Sequence, residues 1–301
     1  MKIYKNADLS KRHRGGVIAI GNFDGLHLGH QRVISEARKK AKEKKLPFGI
    51  MTFEPVPVMF FNSKVKNHRI NTLEQKKNQL KSFNLDFLII IKFNKKFSSL
   101  KAEQFITKII NHKTEAKFLY VSRNFKFGFK RQGNIQTLKK YEKLYNYKSL
   151  IIKAYKKNKR VISSTLIRKK ITAGKIEEVN KLLKRKWCIN GIVIKGRRRG
   201  RKIGFPTCNV KLNDYVVPRL GVYAVQAKGL SFNKKGIANI GYRPTFNGQN
   251  LLLETNIFGI NKNLYNKEIN ISFNKFIRPE KKFKNLNGLK KQIEIDIKKA
   301  K

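Results

Sequence analysis

Val17-Ile18-Ala19-Ile20-Gly21-Asn22-Phe23-Asp24-Gly25-Leu26-His27-Leu28-Gly29-His30-Gln31 is an apolar block, a glycine-punctuated loop and the start of a helical pattern. Four consecutive apolar residues closed by a glycine read as a strand buried on both faces, the kind that parallel sheets contain. Glycines let a backbone approach a ligand closely. A helix N-terminus adds unpaired N–H groups at the positive end of its dipole, so the whole unit suits a phosphate. The loop has neither the Gly-Lys-Ser/Thr of a Walker sequence nor the spacing G-x-G-x-x-G. In place of a P-loop lysine it offers His27 and His30. These two imidazoles can donate hydrogen bonds to charge developing on a bridging oxygen and on leaving pyrophosphate. Two other readings stand beside this one: surface histidines at a turn, or metal ligands, although no nearby cysteine or carboxylate set completes a coordination shell.

Outward from this stretch, further apolar runs at 48–53, 87–91, 118–121 and 149–152 alternate with helical patterns at 31–45, 73–83 and 100–110. Thr72 can cap the second helix, and Gln75 three residues on can complete a capping box. Strands alternating with helices predict a parallel α/β sheet whose ligand sits at the carboxyl ends of the strands. Two helical stretches follow, one from Ser163-Ser164-Thr165 and one over residues 176–183. From Cys188 the texture is all-β, with runs at 188–194, 222–228, 237–240, 251–257 and 269–276 separated by glycine-rich turns. That pattern predicts a compact antiparallel barrel or sandwich. Leu289, Ile293 and Ile297, spaced i, i+4, i+8, predict a last helix lying on it. The expected organisation is α/β: a Rossmann-like domain over 1–186, then an antiparallel barrel domain over 187–301 with a C-terminal helix.

Composition bounds the function. Across 301 residues, 70 Lys+Arg face 18 Asp+Glu, a formal charge of +52. This has the form of a nucleic-acid-binding signature. Yet 46 basic and 12 acidic residues lie up to residue 186 and 24 and 6 beyond it, so the excess is spread rather than gathered in an arm. Lysines outnumber arginines 53 to 17, whereas the planar arginine fork is what reads guanine edges. The charge therefore reads as compositional background without a dedicated nucleic-acid partner. No apolar run approaches the ~18 residues of a membrane span, and the polar N-terminus shows no secretory h-region. Two cysteines, Cys188 and Cys208, cannot build a disulfide framework, so a cytoplasmic location is expected.

The β-rich part carries Gly196-Arg197-Arg198-Arg199-Gly200-Arg201-Lys202-Ile203-Gly204-Phe205-Pro206-Thr207-Cys208-Asn209. Its basic run alone reads as a solvated loop before it reads as an RNA patch. Glu254, in Leu251-Leu252-Leu253-Glu254-Thr255-Asn256, is one of few acids here, and by strand alternation it can simply face solvent.

Taken in order, these motifs resemble those of bacterial bifunctional riboflavin kinase/FAD synthetases. Residues 21–30 have the form Gly-x-Phe-Asp-Gly-x-His-x-Gly-His, and the resemblance extends through Met51-Thr52-Phe53-Glu54-Pro55, Phe125-Lys126-Phe127-Gly128 and Ser163-Ser164-Thr165-Leu166-Ile167-Arg168. The resemblance implies nucleotide contacts at Gly21, Phe23, Asp24, Gly29, Ser164, Thr165 and Arg168, with His27 and His30 catalytic. Residues 196–209 resemble the Gly-rich loop and Pro-Thr-Ala-Asn motif of riboflavin kinases, with Cys208 in the alanine position. This implies nucleotide contacts at Gly196, Arg201 and Gly204. Thr207 and Asn209, hard neutral oxygen donors, become Mg²⁺ ligands, and Glu254 becomes the base. The resemblance also implies flavin contacts at Asn124 and Arg278.

The implied substrates are ATP, riboflavin and FMN. Riboflavin and ATP give FMN and ADP in the second domain; FMN and ATP give FAD and pyrophosphate in the first. Three departures fall in the first module: Val56 stands between Pro55 and Pro57 where the family usually has histidine, and Ser122 and Asn124 replace Gly and Asp. The alternatives are a flavokinase with an impaired adenylyltransferase, or a basic RNA-binding protein on an enzyme scaffold.

Overall fold

The computed structural model describes residues 1–62, 65, 67–157, 160–196, 200, 203–245, 248–260 and 262–301; of the side chains at 157, 243–245 and 248–250 nothing is described. The chain forms two compact units. One holds residues 1–66 and 72–163, the other residues 67–71 and 164–301.

The first unit is built on six strands, β1 (Lys2–Tyr4), β2 (Val17–Ile20), β3 (Phe48–Glu54), β4 (Phe87–Lys92), β5 (Phe118–Ser122) and β6 (Lys148–Ile152). They lie in the order β1-β4-β3-β2-β5-β6, and every pairing is parallel. Both faces are covered, which is why the strands read as unbroken apolar runs. Val17, Ala19, Phe48, Ile50 and Leu88 pack with Val33, Ile34 and Ala37 of helix Leu28–Lys44, while Ile18, Ile20, Met51 and Ile89 pack on the opposite face with Phe105, Ile106 and Ile110. β2 is central, and strand order runs one way from it through β3 and the other way through β5. Such a switch point opens a crevice at the carboxyl ends of the strands. Thr72 and Gln75 form the expected capping box on helix Leu73–Lys81. The helix expected over 100–110 is instead a short turn, Ala102–Gln104, running into a π-helix, Phe105–Lys113. Strand β1 was not expected, because Lys2-Ile3-Tyr4 is an exposed edge strand without an apolar run.

A two-residue pair, β7 (Lys156–Lys157) with β8 (Arg160–Val161), precedes the second unit. That unit opens with helices Ser164–Thr172 and Ile176–Leu183. Six antiparallel strands follow: β9 (Cys188–Ile192), β10 (Cys208–Lys211), β11 (Gly221–Gly229), β12 (Phe232–Thr245), β13 (Gly248–Ile257) and β14 (Glu268–Arg278). Their order is β10-β13-β12-β11-β14-β9, and an antiparallel bridge between Ile194 and Asn209 brings the two ends together, so the sheet is a nearly closed barrel. Tyr223, Phe273 and Trp187 meet in its core, with ring centroids 5.2 and 4.8 Å apart along that chain. Helix Leu286–Ala300 packs on β11, β12 and β14.

Residues 67–71 belong to this second unit although they lie far upstream in the chain. Both His68 and Arg69 donate their N–H to the Asp214 carbonyl at 2.9 Å, and Val216 returns a bond to the Arg69 carbonyl at 2.8 Å. The Arg69 guanidinium pairs with the Asp214 carboxylate at 3.4 Å. The buried indole of Trp187 donates to the Ile70 carbonyl at 2.8 Å.

Candidate active sites

In the first unit, the turn leaving β2 is held in an unusual shape. Phe23 and Leu26 adopt left-handed backbone with φ 47° and 43°, and Gly25 has φ 83°. Non-glycine residues pay roughly 1–2 kcal/mol each for that conformation, so surrounding contacts must impose it. Phe23 and Leu26 bury their side chains in the core, at 1% and 2% exposure. Asn22 is held by its carbonyl, which accepts from Thr52 Oγ1 at 3.1 Å and from Lys76 Nζ at 2.8 Å.

His27 caps helix Leu28–Lys44, its Nδ1 accepting from the His30 N–H at 3.4 Å. An accepting Nδ1 leaves the ring proton on Nε2, so His27 is set up as an Nε2–H donor. The His27 and His30 rings stack with centroids 3.8 Å apart and planes 20° apart, and Phe23 sets its ring edgewise against His30. Two imidazoles this close repel when both are protonated, a repulsion that a neighbouring anion would offset. Gly29 sits tightly: a Cβ there would lie 3.1 Å from His27 Cε1 and 3.3 Å from the Ile162 carbonyl, so the imidazole would have to give by a few tenths of an ångström. Asp24 is buried, and Gly21 begins the turn with the Phe23 ring 3.4 Å from where its Cβ would be.

Two further expected stations of this unit lie at the carboxyl ends of neighbouring strands. Asn124 is exposed on the turn after β5, where Phe125 donates back to the Ser122 carbonyl at 2.9 Å. Val56 follows β3 and is buried at 3% exposure, so the apolar replacement is used in packing. Ser164, Thr165 and Arg168 lie on the first helix of the second unit, and Arg168 donates from Nε to the His68 carbonyl at 2.8 Å.

In the barrel, three residues of adjacent strands are in direct register: Asn209 of β10 opposite Glu254 of β13, and Glu254 opposite Asn239 of β12. Directly opposed residues share a face, so the carboxylate lies between two amides. The barrel core takes the alternate positions, Cys208, Val210, Leu253 and Thr255. Glu254 is half-buried and Asn209 is buried at 7% exposure. Asn209 Oδ1 has no hydrogen-bond partner among the described residues. Such an orphaned buried acceptor suits an absent cation, and Thr207, exposed two residues earlier, adds a hydroxyl of the same hard, neutral type.

Gly196 approaches this row closely. A Cβ on Gly196 would lie 2.1 Å from Asn209 Nδ2 and would push that amide aside, and one on Gly200 would lie 2.4 Å from the backbone carbonyl of Phe205, which leaves room only for glycine there. Gly204, with φ 89°, completes the turn. Arg201 falls outside the described residues. Burial pushes the Cys208 thiol up to about 11, so it is a packing residue and no nucleophile at neutral pH.

Arg278, expected as a flavin contact, directs its guanidinium to Asp296 of the C-terminal helix, with Nε 2.9 Å from one carboxylate oxygen and 3.0 Å from the other, and Nη2 2.8 Å from the first. Asp296 is 1% exposed. Three participants were absent from the sequence reading: Lys76, Asn239 and Asp296. A signal existed for the first, since Leu73, Lys76 and Leu80 lie at i, i+3, i+7 on one helix face.

The sequence families match in the order of the two units. The FAD synthetase family matches residues 9–166 and the riboflavin kinase family residues 183–301. The chain belongs to the bifunctional riboflavin kinase/FAD synthetase family. Proteins named bifunctional riboflavin kinase/FMN adenylyltransferase share 42% identity in Buchnera aphidicola of Schizaphis graminum (96% of this chain, 94% of that one). The corresponding protein of Bacillus subtilis shares 38% (94% and 91%), and that of Escherichia coli K12 shares 34% (94% and 90%). A crystal structure described as a macrolide-efflux protein from Streptococcus pneumoniae superposes with a TM-score of 0.87 at 29% identity, covering 99% of this chain and 97% of that one. Among the described residues of this family member, no helix is long and apolar enough to cross a membrane.

Proposed function

We propose that this family member carries out both reactions, with residues 1–186 as the FMN adenylyltransferase module and residues 187–301 as the riboflavin kinase module. The observation that carries the reading is the pair of separate chemistries: stacked histidines on a strand-turn-helix in one unit, and a carboxylate between two amides beside Gly196 in the other.

In the kinase reaction, Glu254 accepts the proton of the terminal ribityl hydroxyl as that oxygen attacks the γ-phosphorus of ATP, and ADP leaves. Thr207 and Asn209 would hold Mg²⁺, which neutralises phosphate charge when bound with ATP. Gly196 and Gly204, with Arg201, are proposed to line the phosphates. In the adenylylation, an oxygen of the FMN phosphate attacks the α-phosphorus of a second ATP and pyrophosphate leaves. A phosphate nucleophile is already ionised, so no base is needed. His27 and His30 donate to oxygens that gain charge, while Gly21, Phe23, Asp24 and Gly29 shape the turn against the nucleotide. Ser164, Thr165 and Arg168 are proposed as phosphate donors and Asn124 as a flavin-side contact. The assignment of Arg278 to flavin competes with its ion pair to Asp296. Substrates are small molecules, neither cysteine is in a disulfide, and a cytoplasmic location is part of this proposal.

The test is a two-substrate assay with ATP and Mg²⁺, feeding either riboflavin or FMN and resolving the flavins by chromatography. Glu254→Gln is expected to lower FMN formation by ~10²–10⁴-fold while sparing FAD formation from supplied FMN. His30→Ala is expected to do the reverse, by ~10²–10³-fold. Accumulation of FMN without FAD by the unaltered protein would instead favour a flavokinase with a silent first module, and equal loss of both reactions in either folded variant would refute the two-site assignment.

A further inference from the structure

A lysine is an uncommon occupant of a protein core, because an ammonium loses its hydration there and must be repaid by hydrogen bonds. Lys76 is 1% exposed and is among the largest fully buried side chains of the protein. It comes from helix Leu73–Lys81, whose capping box fixes the start of that helix four residues earlier. Its Nζ donates to the Asn22 carbonyl at 2.8 Å and reaches Thr52 Oγ1 at 3.3 Å. Thr52, fully buried on β3, donates to the same carbonyl at 3.1 Å. Two donors from two different elements thus converge on one backbone oxygen.

The location of that oxygen gives the arrangement its meaning. Asn22 is the residue immediately before Phe23, where the backbone enters the left-handed region, and five residues before His27. A turn with two strained non-glycine residues relaxes unless it is over-determined. Buried Phe23 and Leu26 hold its middle, and the helix holds its far end. The Asn22 carbonyl is the anchor at its near end.

We propose that Lys76 is a positioning residue for adenylylation: by pinning the Asn22 carbonyl together with Thr52, it sets where the β2 turn presents His27 and His30. It touches no reacting atom and acts through the backbone. The inference rests on the reading of the two histidines as the adenylylation site.

The bifunctional chain supplies its own control, since FMN formation by the same preparation reports whether the protein is folded. Lys76→Met keeps length and apolar bulk but removes the donors. Misplacing catalytic groups by about 1 Å costs on the order of 10²-fold, so kcat for FAD formation is expected to fall ~10–100-fold, with KM for ATP within about threefold and FMN formation unchanged. Lys76→Arg is expected to recover part of kcat. Thr52→Val is expected to show the same kcat-selective loss in smaller size, and adding it to Lys76→Met is expected to add little, as for groups sharing one partner. FAD formation by Lys76→Met within twofold of the unaltered protein overturns the proposal, as does a loss confined to KM. If Lys76→Met loses both activities, Thr52→Val decides: a selective kcat loss supports the proposal and an unchanged kcat overturns it. His30→Ala run in parallel separates the two levels. Full FAD formation by that variant refutes the histidine site itself, whereas its loss beside an unaffected Lys76→Met refutes only the role of the lysine.

Discussion

At the scale of single residues, space decides more than charge. Gly29 lies between the His27 ring and the Ile162 carbonyl, with contacts of 3.1 to 3.3 Å to an added Cβ. A methyl group there must displace the imidazole, because the carbonyl is part of the backbone. Gly29→Ala is therefore expected to cut FAD formation ~10-fold or more while FMN formation stays unchanged, read by the two-substrate assay. That both histidines and this glycine share one turn was legible in the sequence, since an apolar block, a glycine-punctuated loop and a helical pattern follow one another there. Lys76 was not. Its spacing with Leu73 and Leu80 marks the inward helix face, but a lysine type reads as solvated, and its role appears only in the tertiary contact with the Asn22 carbonyl. Cys208 is a second case, for burial raises its thiol pKa to about 11. The thiolate fraction at pH 8 is then on the order of 10⁻³, and iodoacetamide labelling followed by mass spectrometry is expected to find Cys208 unreacted until denaturant is added.

Elements were legible where one interaction dominates them. β2 was read to the residue because burial on both faces leaves an apolar block with sharp ends. β10, four residues long with an exposed lysine at its end, carries too little pattern to be legible, and the apolar spacing that predicts a helix over 100–110 does not encode the wider turn of the π-helix Phe105–Lys113. The C-terminal helix was read from Leu289, Ile293 and Ile297, yet these are only half-buried; the deepest residue on it is Asp296. Its carboxylate is held by Arg278 through paired contacts near 3 Å. Removing one member of a buried pair leaves an uncompensated charge, which costs about 3–5 kcal/mol. Asp296→Ala is accordingly expected to lower the thermal midpoint of the kinase unit. Asp296→Ala with Arg278→Met is expected to recover part of it, as followed by circular dichroism.

For the whole molecule, the charge of +52 is spread along the chain, with a similar excess before and after residue 186. A field of this kind attracts any polyanion without choosing among them. Binding of a fluorescently labelled RNA is expected to weaken ~10³-fold or more between 50 and 200 mM salt, by anisotropy, with no preference between sequences. A sequence-selective complex that persists at physiological salt would give the charge a dedicated partner. The order of the two modules was visible from texture alone. The allocation of residues 67–71 to the second unit was not, because nothing local in that short polar segment announces a partner well over a hundred residues away.

That allocation places a constraint on how the protein is made. Arg69 must find Asp214, which leaves the ribosome 145 residues later. At 5–20 residues per second, synthesis of the intervening chain takes roughly 7–30 s. Throughout this interval the segment between Lys66 and Thr72 is already outside with its partner unmade, while the sheet on either side of it in sequence can close. The nascent first unit must therefore mature around a loose end that it cannot use, and the second unit is completed by residues translated long before its first strand.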